Sequence, residues 1–565
     1  MLRSLACPVC LLSAANPPAP QFLLPDAAQP RRYALDLTII PSQATFRGMA
    51  TIDLQLTQQT SFLWLNGKDL RVDSAVLRIG GVSLKARADA FGGEFLRFTL
   101  PRPVGPGAAQ LVIRYQATLS AKNTVGAYRR QSAGDWYAFT TFTAIEARRA
   151  FPCFDEPRYK TPWRLTLHVQ RNQVALANTR AVGEHEEPHG MKQVVFAETE
   201  PLPSSLIAFA AGPFDVVDAG RAGKRGVPVR IITPRGRASD AAAASSATAG
   251  LLERLEQYTG IAYPFDKLDH LALIEGAFGA VENPGLITYQ QRILLSTPDR
   301  DMAQHRRGVL GTMAHELAHQ WFGNLVTMSG WEDVWLSEGF ATWMEAKALD
   351  DKLSAVAARD RIMAADTRPV RLPMSSRSQM RDVYGQVVYR KGAATLDMIE
   401  NWVGETAFQR GIQRYLADHK FAGATTADFA RAISQAAGQD IGGVLSSFLD
   451  RPGVPVVTAK LRCDSGSSPR VRLRQEQGFW RLPVCFKGEG VAARCVVMEG
   501  RQTEVILAEA KACPAWLFLN AGASGYYRAL PVGIPEPDQL TDAERLTLAL
   551  DTSAVVAVVL ASLGR

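Results

Sequence analysis

His315-Glu316-Leu317-Ala318-His319-Gln320-Trp321-Phe322-Gly323, followed by Trp335-Leu336-Ser337-Glu338-Gly339-Phe340-Ala341, is the stretch that organises the rest of the chain. Two histidines four residues apart stack on one face of a helix and aim both imidazoles at one point. Val309, Leu310, Met313 and Phe322 recur around them at helical spacing, which buries the back of that helix, and Gly323 supplies a stop. A catalytic zinc takes three protein ligands and keeps a fourth position open. His315 and His319 provide two. Glu338 begins a second helix whose other face is apolar, where a carboxylate is costly to bury without a cation. One zinc ion held by His315, His319 and Glu338 is that cation. Glu316, beside His315 and facing the open side, then falls in the position of a general base for the attacking water.

The same five-residue pattern occurs once more, as His185-Glu186-Glu187-Pro188-His189. Here Pro188 lies inside it and glycines stand at 183 and 190. A helix through Pro188 would lose a hydrogen bond and clash, a penalty of about 3 kcal/mol. This copy is expected to be a solvated turn between strands, without metal.

Outward from the motif, 565 residues are too many for one core, so two to four domains are expected. Residues 30–215 alternate with period two (Tyr33, Leu35, Leu37, Ile39; Trp163, Leu165, Leu167, Val169), which predicts an antiparallel β domain. Beyond the Gly- and Pro-rich stretch Gly220 to Pro228 the pattern becomes helical, giving a mainly helical catalytic region over 216–450. Alternation returns over 451–532 as a small β-sandwich. Residues 533–565 suggest a linker and the first helices of a further domain, and residues 1–29 a leader and disordered start. The fold class is multidomain α+β. The apolar run Ala554 to Leu563 predicts self-association through unpaired surface.

A net charge of +8 is scattered without aromatic interleaving, which argues against a nucleic-acid partner. No apolar run reaches the roughly 18 residues of a membrane span. Met1 to Ala15, with Arg3, a short apolar core and Ser13-Ala14-Ala15, resembles an export leader, so a periplasmic or secreted location is expected, with the cytoplasm as alternative. Cys7 and Cys10 lie in that leader and Cys153 stands alone. Cys463, Cys485, Cys495 and Cys513 crowd into the small β region, where two disulfides or free buried thiols are the competing readings.

Further residues carry a family resemblance. The two motifs quoted first, together with Gly279-Ala280-Val281-Glu282-Asn283 upstream and Tyr389-Arg390-Lys391-Gly392-Ala393 downstream, resemble those of the gluzincin zinc aminopeptidases of the aminopeptidase N type. Phe151 to Pro157 and Gly525-Tyr526-Tyr527-Arg528 fit as well. The resemblance implies a β N-terminal domain, a thermolysin-like catalytic domain, a β-sandwich and the beginning of a helical C-terminal domain. It implies peptide substrates with a free N-terminus. Glu282 would hold the substrate ammonium. Gly279 and Ala280, with Val281 and Asn283 beside them, would present backbone to an extended substrate. Phe278 would line the pocket for the first side chain or else sit in the core. Tyr389 would donate to the oxyanion, with Tyr384 as its stand-in.

The chain departs from the family where Thr140-Thr141-Phe142-Thr143 replaces Thr-Gln-x-Glu, leaving Glu282 as the recognised amine anchor unless Glu146 compensates. Weaker amine selection and an altered first-residue preference are expected. Two other readings stay open at this stage: a catalytically impaired binding protein, and an endopeptidase. The oligomeric state is open too.

Overall fold

The structure, a computed structural model, describes residues 18–296, 302–476 and 478–563. The expected leader, with Cys7 and Cys10, lies outside the described residues.

The N-terminal part is β-rich. Ala28–Thr38 pairs antiparallel with Thr45–Leu56, within a ten-stranded sheet. Tyr33, Leu35, Leu37 and Ile39 are buried while their neighbours face outward, as period-two patterning requires. One expectation needs correction. Ala28–Thr38 also pairs parallel with Trp163–Gln170, so the sheet is mixed rather than antiparallel. Alternation reports which face is buried and is blind to strand direction. The second His-Glu-x-x-His copy takes the form expected of it: Ala181–Glu187 is a strand, Pro188–Gly190 a 3-10 turn, and His189 has φ 61°.

A second correction concerns the region after Gly220. Helices do begin at Ala242, but a five-stranded sheet is built around that point. Phe214–Ala222, Val227–Pro234, Leu268–Leu273, Leu286–Gln290 and Ala280–Val281 lie side by side in that order, the middle three parallel. Every residue of Leu268–Leu273 is buried. A strand covered on both faces shows no alternation, which is why its short apolar run passes for part of a helical region. Among the described residues the sheet ends at Ala280–Val281, whose outer edge carries no further strand.

Helix Ala242–Thr259 buries Leu251, Leu252 and Leu255. Four further elements matter for the site: helices Met302–Ala318, Trp335–Ala348, Lys352–Ala364 and Gln386–Val403.

Residues 456–529 form a four-stranded and a three-stranded sheet. Cys463–Cys513 and Cys485–Cys495 are disulfides, and Cys153 is a buried free thiol. Helix Asp542–Leu563 follows. Its first half docks through polar side chains one face apart: Glu544 meets Lys487 at 2.8 Å, Thr547 accepts from Arg359 at 3.0 Å, and Asp551 meets Arg528 at 3.0 Å. The side chains from 555 onward, which carry most of the expected apolar patch, lie outside the described residues. Among the described residues no helix is long and apolar enough to cross a membrane.

Candidate active site

His315 and His319 occupy the last turns of Met302–Ala318 and the residue just beyond it; the His319 N–H still donates to the His315 carbonyl, so one helical turn separates them. Their Nε2 atoms are 3.1 Å apart. Glu338, in the first turn of Trp335–Ala348, brings Oε2 to 3.5 Å from His315 Nε2 and 3.4 Å from His319 Nε2. A tetrahedral ion with bonds of 2.0–2.1 Å sets its ligand atoms about 3.3 Å apart. The triangle has that edge length, so the donor set fits one metal ion.

The remaining ring nitrogens are also occupied. His319 Nδ1 lies 3.0 Å from the Phe322 carbonyl and 3.0 Å from the Ser337 hydroxyl; His315 Nδ1 lies 3.5 Å from Glu345. Donation from Nδ1 leaves the Nε2 lone pair facing Glu338, the tautomer a metal ligand needs. Gly323 permits this turn. Its φ is 117°, and a Cβ there would collide with the Ser337 hydroxyl.

Tyr389 arrives from Gln386–Val403, its ring stacked against His315. The approach depends on two glycines. A Cβ on Gly339 would stand 3.2 Å from Gly392 backbone, and one on Gly392 equally close to Gly339. The helices of Glu338 and Tyr389 therefore cross backbone to backbone. Lys391, fully buried, ties the crossing to Asp366 and to the Arg451 carbonyl, each at 2.7 Å. A cavity of about 490 Å³ opens beside His315, Glu345 and Tyr389.

Glu282 follows the edge strand Ala280–Val281, and a carboxylate oxygen of Glu282, one of Glu316 and a ring nitrogen of His319 all lie within 4.8 Å of one another. Glu316 is buried, and among the described residues its Oε2 has no hydrogen-bond partner. Gly279 and Ala280 sit on the exposed side of the sheet edge, and the Gly279 carbonyl accepts from Gln290 N–H at 2.9 Å. Val281 and Asn283 are buried. Phe278 is exposed, so it is not a core residue, and its carbonyl is held by Gln290 at 2.9 Å.

Among the described residues, the buried Thr143 hydroxyl has no hydrogen-bond partner. Glu146 is already engaged, accepting from Arg149 and, at 2.8 Å, from Arg377. Its carboxylate is thus shared between two arginines.

Electrostatics divide the carboxylates. Burial pushes Glu316 up to about 8 and raises Glu282. Burial acts on Glu338 in the same sense, but the charges of His319 and His315 prevail and hold it at about 2. Burial disfavours the charged imidazoles, yet Glu338 and Glu345 hold His315 above its ordinary range, as Glu338 and Glu282 hold His319. Buried acids and imidazoles pushed this far from their ordinary ranges and packed together are a feature of functional sites.

Gln320 and Asn324 belong to the site although the sequence patterning does not single them out: both are fully buried and both donate to the Glu282 carbonyl. Gln320 stands inside the first-quoted motif and Asn324 directly after it, which was the available signal.

Two imidazole nitrogens and a carboxylate oxygen converging beside a second buried acid define a class of protein, one able to hold a divalent metal next to an acid–base group. Comparison with known proteins makes this specific. The profile described as the peptidase M1 N-terminal domain matches residues 29–206, and that described as the peptidase family M1 domain matches residues 243–448. The chain belongs to peptidase family M1. It is 31% identical over 575 residues to aminopeptidase M1-A of Oryza sativa subsp. japonica, covering 92% of this chain and 62% of that protein. It is 30% identical over 544 residues to puromycin-sensitive aminopeptidase of Caenorhabditis elegans, covering 89% and 56%. Against glutamyl aminopeptidase of Bos taurus it is 30% identical over 461 residues, covering 77% and 48%. The chain thus spans about half to two thirds of the length of the curated relatives it matches.

Proposed function

We propose that this protein is a zinc-dependent aminopeptidase that hydrolyses the peptide bond following the first residue of a peptide with a free amino terminus. The observation that carries the reading is the triangle of His315 Nε2, His319 Nε2 and Glu338 Oε2, with edges of 3.1 to 3.5 Å. Membership of family M1, and relatives that bear aminopeptidase names, support it.

His315, His319 and Glu338 would hold one zinc ion, which supplies Lewis acidity toward a carbonyl and toward water when bound. The other roles fall to side chains of this chain. Glu316 takes the proton of the attacking water on its unpartnered Oε2 and delivers it to the leaving amine. Tyr389 donates its O–H to the oxyanion of the tetrahedral intermediate. Glu282 accepts from the substrate ammonium and fixes the register of cleavage. The open edge at Gly279, Ala280 and Val281 offers backbone groups to an extended substrate, Asn283 closes the turn beneath it, and Phe278 lines the first side-chain pocket.

With Thr143 in place of a glutamate and Glu146 held by Arg149 and Arg377, selection of the free amine rests on Glu282. We therefore expect weaker discrimination and a shifted first-residue preference. Boundaries near 30–215, 216–450, 451–532 and 533–565 remain our division of the chain, and the two disulfides support an oxidising compartment over the cytoplasm.

A panel of amino-acid anilides, with N-acetylated counterparts, tests the function with and without chelator. Hydrolysis of the free anilides that chelation abolishes and zinc restores is the expected result. Equal rates on acetylated substrates would leave an endopeptidase, and no hydrolysis by zinc-loaded protein would remove the enzyme.

A further inference from the structure

The amine anchor has little backbone support from its own strand. Ala280–Val281 pairs with Leu286–Gln290 through two positions only, Ala280 with Tyr289 and Val281 with Thr288, and the ladder stops before Glu282. The next hydrogen bond is the turn closure from Leu286 N–H to the Asn283 carbonyl at 3.0 Å. Glu282 sits between the two, in a turn the sheet does not hold.

Its carbonyl is held from elsewhere. Gln320 Nε2 donates to the Glu282 oxygen at 3.0 Å and Asn324 Nδ2 donates to the same oxygen at 2.8 Å. Gln320 Nε2 also donates to the Glu316 carbonyl at 3.1 Å. Both amides come from the turn that ends the histidine helix, so one rigid segment carries His319 and grips Glu282. That segment is itself anchored: Lys160, from the N-terminal β part, donates to the carbonyls of Asn324 at 2.8 Å and Leu325 at 3.2 Å.

The arrangement leaves two buried acceptors unsatisfied. Among the described residues, Gln320 Oε1 and Asn324 Oδ1 have no hydrogen-bond partner. Each amide is turned with its nitrogen on Glu282 at the expense of its oxygen.

We propose that Gln320 and Asn324 are positioning residues for the amine anchor, holding the Glu282 backbone at a fixed distance from the histidine pair. The proposal rests on Glu282 being that anchor. A merely structural clamp would affect folding and metal retention. A positioning clamp acts on recognition of the substrate amine while the ion stays in place.

The test uses zinc-loaded full-length chain carrying Asn324→Leu, Gln320→Met, or both, each also in a Glu282→Ala background. Leucine anilide and N-acetyl-leucine anilide are the probes, with zinc content measured in every variant. Loss of one donor is expected to raise KM for the free anilide about tenfold, with kcat changed less and zinc content unchanged. Discrimination against the acetylated probe falls by the same factor, and the effect vanishes in Glu282→Ala, as coupling through one residue requires. Unchanged KM, or a full additive effect in Glu282→Ala, overturns the proposal; so does a loss of zinc that parallels the loss of activity. If Asn324→Leu fails to fold, Gln320→Met removes the other donor to the same oxygen and decides the matter. If wild type shows no preference for the free amine, the anchor reading falls and the clamp with it. If Glu282→Ala abolishes the preference and the clamp variants keep it, the clamp alone falls.

Discussion

The rings of His315 and Tyr389 lie 13° from parallel with centroids 6.1 Å apart, which sets the phenol beside the histidine pair. Burial, with the Glu338 charge next in weight, raises Tyr389 far above the ordinary phenol range. It stays protonated at any working pH and is available as a donor rather than a base.

Tyr389→Phe should therefore lower kcat by about 10²–10³ with little change in KM, the effect of removing one oxyanion donor. Tyr384, also raised by burial and by Glu338, should matter less, so Tyr384→Phe should change kcat by under about tenfold. Steady-state kinetics on one anilide separates the two, and an equal loss from both would reassign the donor.

Metal retention and proton transfer should separate between neighbouring residues. Glu316→Gln keeps the triangle of His315, His319 and Glu338 intact and should retain zinc while losing about 10²–10⁴ in turnover. Glu338→Ala and His319→Ala remove a corner and should lose the ion as well. Elemental analysis of purified variants beside their rates checks this; zinc loss from Glu316→Gln would make Glu316 a ligand.

The crossing of Gly339 and Gly392 should accept a methyl group only with strain. With 3.2 Å between an added Cβ and facing backbone, Gly392→Ala should ease the two helices apart by a few tenths of an ångström and move Tyr389 relative to Glu338. We expect a loss of about 1–3 kcal/mol in stability and a further drop in kcat. Thermal melting and kinetics on the same sample would detect both, and an unchanged kcat would uncouple the crossing from the site.

Acid should weaken the fold through His270. It is fully buried, hydrogen-bonded to the Thr248 hydroxyl at 3.2 Å and the Tyr289 hydroxyl at 3.1 Å, and burial lowers it to about 4. The unfolded chain, with an ordinary imidazole near 6.5, binds more protons between those values, so stability falls as pH drops through that window and is fully present above it. The contribution is on the order of 3 kcal/mol. Urea midpoints from pH 7.5 to 4.5 should fall less steeply in His270→Gln than in wild type. Parallel slopes would place the acid sensitivity elsewhere.

Local patterning determined a good deal by itself. Helical spacing set His315 and His319 on one face, proline ruled out the copy at His185, and alternation found the buried faces of the N-terminal strands. These are near-neighbour properties, fixed by the period of the backbone. Tertiary structure decided what no period encodes. It hid a strand such as Leu268–Leu273 between two covered faces, set Trp163–Gln170 parallel to Ala28–Thr38, and consumed Glu146 in ion pairs. It also brought Gly339 against Gly392 and turned Gln320 and Asn324 onto one distant carbonyl. Those contacts join residues far apart in the chain, and a buried hydrogen bond is specified by where its partner lies in space, which spacing along the sequence does not contain.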